Sequence, residues 1–266
     1  MRLQALYRYP IKSTLGEALS TSVVGRLGLE GDRRWMFVDE TNGRCLTQRT
    51  LPILGKISAR YTVSGSLTLS APGLPALEVP LPEADSHLRG VVIWKDTLRV
   101  PDAGDEVAAW ASQLIGQPVR LVHVPEHRAR PLGAENAHAQ DRVAFADGFP
   151  LLLINQASVD DLSGRVGREM VMPRFRPNLV IEGAEAYAED NWSRLRIGDV
   201  TFRVASPCAR CILTTINPGT HERDGDREPL NTLKDYRRYE GGIMFGQNLI
   251  GEGEGVVEVG MPVTLL

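Results

Sequence analysis

The stretch "SPCARCILTT", residues 206–215, sets Cys208 and Cys211 three positions apart in a chain with only three cysteines. Two such thiols can form a redox disulfide, contribute half of a zinc site, or serve as small buried side chains. A thioredoxin-type pair needs its first thiol at a helix N-terminus in a βαβ setting. Here Pro207 precedes Cys208, and Cys211 runs into "ILTTI", whose β-branched residues predict a strand. A structural zinc needs two more ligands at suitable spacing. Only His221 lies near in sequence, and Cys45 is distant. Burial as two small residues stays open. Arg210 adds a fourth possibility, because an adjacent cation favours thiolate over thiol, and the thiolate is the form that ligates a metal.

Other reactive patterns dissolve on inspection. His123, Glu126 and His127 in "HVPEH" imitate a zinc-protease helix, but Pro125 breaks the helix that would bring both rings to one face. "GEGEG" (251–255) carries two glutamates and leads into a strand, whereas a phosphate cradle uses backbone N–H groups before a helix. It reads as a hairpin turn. The pairs Asp160/Asp161 and Asp102/Asp105 fall at helix starts, where capping accounts for them.

The elements that must position these residues are mostly short strands. "WMFVDE", "SLTLSAP", "VVIWKDTLRV", "PVRLVHV", "PNLVIEG", "DVTFRVAS", "CILTTI" and "GVVEVGMPVTLL" are apolar or β-branched runs punctuated by Gly, Pro and Asp. Two helices are predicted. Residues 104–115 space Val107, Trp110 and Leu114 along one face, with acidic residues at the start. Residues 158–166 begin at Ser158, a candidate N-cap, with Asp161 three positions on. The polar loop 125–141 marks a boundary, giving domains 1–124 and 125–266. The fold class expected is α+β and β-rich.

Composition narrows the function. At 266 residues the chain suits two modest domains or one large β-rich one. A formal net charge of −3 gives no basic face for a nucleic-acid polymer. No run reaches the roughly 18–20 apolar residues of a membrane span. The N-terminus "MRLQALYRYPIKS" has no basic leader followed by an apolar core, and an odd cysteine count argues against a secreted disulfide framework. A cytoplasmic protein is expected. Only four of the 30 basic residues are lysines. Arg makes planar bidentate contacts to phosphate or carboxylate that Lys cannot, but codon bias is the simpler explanation for the bulk of the excess.

Nine segments occur in an order that resembles MOSC-domain proteins: "YRYPIKS" (7–13), "GDRRWMFVD" (31–39), "FADGFPLLLINQASVDDL" (145–162), "FRPNLVI" (175–181), "YAEDNW" (187–192), "IGDVTFRV" (197–204), "CARCILTT" (208–215), "EPLNTLKDYR" (228–237) and "FGQNL" (245–249). They span nearly the whole chain. The likeness is to the two-part type, an N-terminal β-barrel domain followed by a MOSC β-barrel domain with a few peripheral helices. Its members include the amidoxime-reducing components and bacterial enzymes that detoxify N-hydroxylated bases.

The resemblance implies a molybdenum cofactor, held by a pterin dithiolene and by the cysteine closing "C-x-R-C", which is Cys211. Cys208 is not the ligand in that pattern. It implies cofactor binding by Lys12 and Ser13 after "YP", by Arg33 of "D-R-x-W" and by Arg176 of "F-R-P-N", with Asn178 and Arg210 lining the same pocket. Cationic anchors agree with a pterin that ends in a phosphate. The implied activity is reduction of hydroxylamines, amidoximes or N-hydroxylated bases by oxygen-atom transfer to molybdenum. The alternative is a persulfide or cofactor carrier without turnover. Some relatives append a ferredoxin-type domain, whose cluster needs four thiolates. With three cysteines, this chain is expected to take electrons from a separate ferredoxin- or cytochrome b5-like protein and its flavin reductase. Two departures stand out: Asn217 replaces the aspartate of Thr-x-Asp-Pro, and bulky Phe149 stands where relatives can have a small polar residue.

Overall fold

The computed structural model describes residues 1–133, 137–239 and 241–266. Among these, the largest sheet has nine strands. Its order is 17–19, 2–8, 179–182, 151–155, 242–252, 200–210, 194–197 and 263–265, and the short strand 238–239 also pairs with 242–252. Pairing is antiparallel except between Leu151–Asn155 and Leu179–Glu182, which run parallel. Leu151–Asn155, central in this sheet, is buried along its whole length, which is why "LLLIN" shows no polar alternation. By contrast Leu67–Ser70 alternates buried and exposed residues, as a strand with one wet face must.

The first half of the chain forms smaller sheets around Trp35, Phe37, Leu54, Ile57 and Leu121. Trp35–Asp39 pairs with Val119–His123, and Ser58–Tyr61, Leu67–Ser70 and Leu77–Val79 form a meander. The run "VVIWKDTLRV" is a hairpin, Leu88–Ile93 against Asp96–Pro101, with Trp94 and Lys95 at its turn. Main-chain pairing fastens the two halves together. Arg2–Arg8 joins the large sheet, and Thr21–Gly25 pairs with Gly255–Glu258.

Helix α1, Asp105–Ile115, closes on Gly116 in the left-handed conformation, and α2, Gln156–Val166, closes on Gly167 in the same way. Helix α3 is the single short segment Leu230–Tyr236. Among the described residues no helix is long and apolar enough to cross a membrane.

Four local expectations are revised. The cap of α2 is Asn155, whose side chain accepts from Ala157 N, while Ser158 is buried inside the helix and donates to Glu189. Asp161 accepts from Arg165 and Tyr187 within α2's surroundings, so it is not a capping residue. "GEGEG" is a corner between sheets, because the strands flanking it pair with different partners. "ILTT" coils into a 3-10 turn, Ile212–Thr215, in which the Thr214 and Thr215 hydroxyls bond back to carbonyls three residues earlier. That competition with the ladder ends the strand at Arg210.

Candidate active site

Cys208 and Cys211 emerge where the long strand Val200–Arg210 runs out. Its pairing with Gly242–Glu252 slips between Pro207 and Ala209, and Cys211 lies beyond the strand in extended conformation, heading the 3-10 turn. Simple alternation would turn side chains three apart to opposite faces. The slip and the strand end defeat it, and both cysteines line one cavity of about 660 Å³. They are free thiols with different partners. Cys208 packs against the core cluster that contains Phe175 and Phe245 and accepts from Arg210 Nη1 at 3.1 Å. Cys211 accepts from Arg49 Nε at 3.3 Å.

The same cavity gathers the other residues that the resemblance assigns to the cofactor: Lys12, Ser13, Arg33, Arg176, Asn178 and Arg210. They come from four separate segments. Buried Tyr9 organises them, with the Arg33 and Arg176 guanidinium carbons 4.3 and 4.2 Å from its ring centroid. The tyrosine ring lies so close to Gly16 that a Cβ there would meet it at 2.3 Å, so Gly16 must lack a side chain.

Arg33 is held on several sides. Its Nη1 donates to Asp32 at 2.6 Å and to Asn178 Oδ1 at 2.9 Å, and its Nη2 donates to the Arg176 carbonyl at 3.1 Å. Burial opposes its charge, but Asp32 beneath it more than compensates. Asn178 is fully buried and bonded to Arg33, Leu152 N and the Tyr7 carbonyl, so it orients Arg33 as much as it lines the cavity.

Arg176 and Arg210 are different. Neither pairs with a carboxylate among the described residues, and Arg176 Nη2 and Arg210 Nε are buried without any hydrogen-bond partner. Burial pushes Arg176 down to about 10, with Arg33 adding repulsion. It remains a cation at neutral pH.

Across the cavity, Lys12 donates to the Phe145 carbonyl at 2.8 Å and contacts Asp147, to which Arg49 also donates at 2.6 Å. Burial works against ionisation of Asp147, yet Lys12 and Arg49 hold its carboxyl well below the usual range. Burial pulls the Lys12 ammonium down, and Asp147 only partly restores it.

Five cations and one carboxylate therefore line the cavity. Unsatisfied guanidinium donors in such a field suit a phosphate-bearing anion. Among the described residues no three His, Cys, Asp or Glu side chains converge on a metal position. A metal that brings most of its own ligands needs only one thiolate, and Cys211 can supply it. The residues fit a pterin-bound metal on both counts.

Backbone strain concentrates here too. Ser13, Arg33, Trp94 and Arg176 all have φ between 47° and 64°, and all four line the cavity. Non-glycine residues resist that conformation, and it persists only where surroundings enforce it.

Sequence reasoning passed over Arg49, Asp147 and Trp94. Asp147 lay within the quoted "FADGFP" segment, whereas Arg49 sits in polar "TQRT", with no pattern to mark it. Of the departures, Phe149 does reach the cavity, but Asn217 does not; its side chain accepts from Gly219 N in a turn.

This fold and cationic thiol cavity define a two-part MOSC protein. Residues 1–118 match the MOSC N-terminal beta barrel domain, and residues 140–264 match the MOSC domain. The chain belongs to the family of the amidoxime-reducing components. It is 37% identical to mitochondrial amidoxime-reducing component 1 of Mus musculus, covering 98% of this chain and 81% of that protein. The human component 1 is 35% identical over 98% of this chain and 82% of its own length. Mitochondrial amidoxime reducing component 2 of Rattus norvegicus is 35% identical over 96% and 80% respectively.

Proposed function

We propose that this protein is a molybdenum-cofactor-dependent reductase of N-hydroxylated compounds, served by a separate electron-transfer protein. The observation that carries the reading is one cavity in which a thiol stands among five cations, two of them with buried N–H groups lacking acceptors. The amidoxime-reducing names of its relatives support the substrate class. When bound, the cofactor supplies oxygen-atom transfer, which removes oxygen from an N–OH group.

The chain's own residues do the rest. Cys211 would ligate the metal, and the Arg49 N–H directed at its sulfur orients that side chain. Arg176, Arg210, Arg33 and Lys12 hold the anionic part of the cofactor, with Ser13 and Asn178 completing that wall. Asp32 and Tyr9 keep Arg33 and Arg176 in place. A persulfide carrier would use the same Cys211 but has no need of so many anchors for one sulfur atom.

The test is direct. Protein made in a cofactor-competent host is assayed for molybdenum, for fluorescent pterin after oxidative release, and for reduction of an amidoxime with excess reductant. Stoichiometric metal and pterin with turnover are expected. Labile sulfane sulfur on Cys211 without metal would sink the reading in favour of the carrier.

A further inference from the structure

Trp94 is the residue the cofactor does not explain. It occupies the turn of the Leu88–Ile93/Asp96–Pro101 hairpin with φ 54°, a position where two-residue turns take Asn, Asp or Gly. A bulky aromatic there is strained, and nearly half of it stays open: Trp94 is 46% exposed. Yet it is not a loose surface residue. Arg49 and Lys12 lie 4.7 and 5.4 Å from its ring centroid, and it lines the cavity together with Phe149. The two aromatics come from different halves of the chain. Segment 147–149 is tied back to the first half by Asp147, which bridges Lys12 and Arg49.

An N–OH group is small, and the body of any molecule presenting it towards Cys211 must lie somewhere along this wall. Even with two cations on it, the half-exposed indole keeps open apolar surface. We propose that Trp94, with Phe149, forms a subsite for the planar aromatic portion of an N-hydroxylated substrate, and so sets a preference for aryl over alkyl compounds. This rests on the reductase reading and names the substrate class of the same site. A strained turn residue whose ring is steered to a cavity mouth is what such a subsite requires; an ordinary hairpin would carry Asn there.

The test compares matched ligands that differ only as phenyl differs from methyl. With holoenzyme and a chemical reductant, KM is measured for benzamidoxime and acetamidoxime, and calorimetry on the resting enzyme gives Kd for the corresponding amidine products, benzamidine and acetamidine. Trp94→Asn, which relieves the backbone strain and should not lower the melting temperature, is expected to weaken the phenyl ligands about five- to tenfold more than the methyl ones, in line with a lost aromatic contact. Trp94→Phe should recover most of the difference. Equal shifts for phenyl and methyl ligands in an enzyme that turns over would overturn the aromatic subsite alone. Failure of wild-type holoenzyme to reduce either amidoxime would instead overturn the reductase reading, and the subsite with it.

Discussion

The deep wall of the cavity and its mouth use the same residue types to opposite ends. In the wall, the Asp32 side chain is 1% exposed and Arg33 13%. At the mouth, Asp147 is 51% exposed and Arg49 24%, with half-exposed Trp94 beside them. An ion pair out of water is costly to break, because the orphaned charge has no solvent to turn to. One at the surface is cheap to break and easily remade. Permanent anchoring suits the first setting, and discrimination among exchanging small molecules suits the second.

The largest effect should come from the residue that stands between the two regions. Cys211→Ala is expected to abolish turnover while the protein stays folded. Cys208→Ala should cost on the order of 1 kcal/mol of packing and leave most activity. Reduction assays with excess donor separate them, and equal loss in both would mean the two thiols act as a unit.

Arg33→Ala comes next. It leaves the Asp32 carboxylate buried without its cation, so both stability and cofactor content should fall, the former by about 3–5 kcal/mol. Denaturant unfolding measures it. A loss no greater than that of a mouth variant would erase the distinction between the regions.

Arg176→Ala sharpens the comparison within the wall itself. Arg176 has no carboxylate partner among the described residues, so no carboxylate is orphaned by its removal. Cofactor affinity should drop roughly tenfold to a hundredfold, for a charged hydrogen bond worth about 1.5–3 kcal/mol. Molybdenum retained after gel filtration is the readout, and full retention would show that Arg176 anchors nothing.

A smaller loss is expected from Asp147→Asn at the mouth, because the half-exposed carboxylate and Arg49 reach water, although buried Lys12 loses its carboxylate partner, so the loss should stay below that of Arg33→Ala. Its carboxyl is held below the usual range in the folded protein, so the ion pair stabilises fully above the ordinary aspartate value of about 3.9. That stabilisation is lost as pH falls through the lower folded value. The gap between wild type and variant should thus be level near neutrality and close in acid. A gap that widens on acidification would contradict the assigned charge.

The chain by itself determined a good deal. Apolar runs such as "WMFVDE" and "PNLVIEG" announce strands because burial on both faces leaves no place for polar alternation. Val107, Trp110 and Leu114 announce α1, and the ordered motifs single out Lys12, Arg33, Arg176 and Cys211 long before a cavity is visible. Local patterns misled where side chains competed with the backbone. "ILTT" looks like a strand, but its threonines bond to the preceding turn, and Ser158 serves Glu189 rather than a helix end.

Only the tertiary structure decided which residues meet. Arg49 is 162 positions from Cys211, and Asp147 is 135 from Lys12; neither separation leaves a periodic trace in sequence. Nor could alternation foresee that Cys208 and Cys211 line one cavity, since that follows from a register slip against the neighbouring strand and from the strand ending at Arg210. Propensity and burial act over a few residues and are written locally. Charge partners and the shape of a cavity between two halves depend on long-range packing, and appear only when the chain has closed on itself.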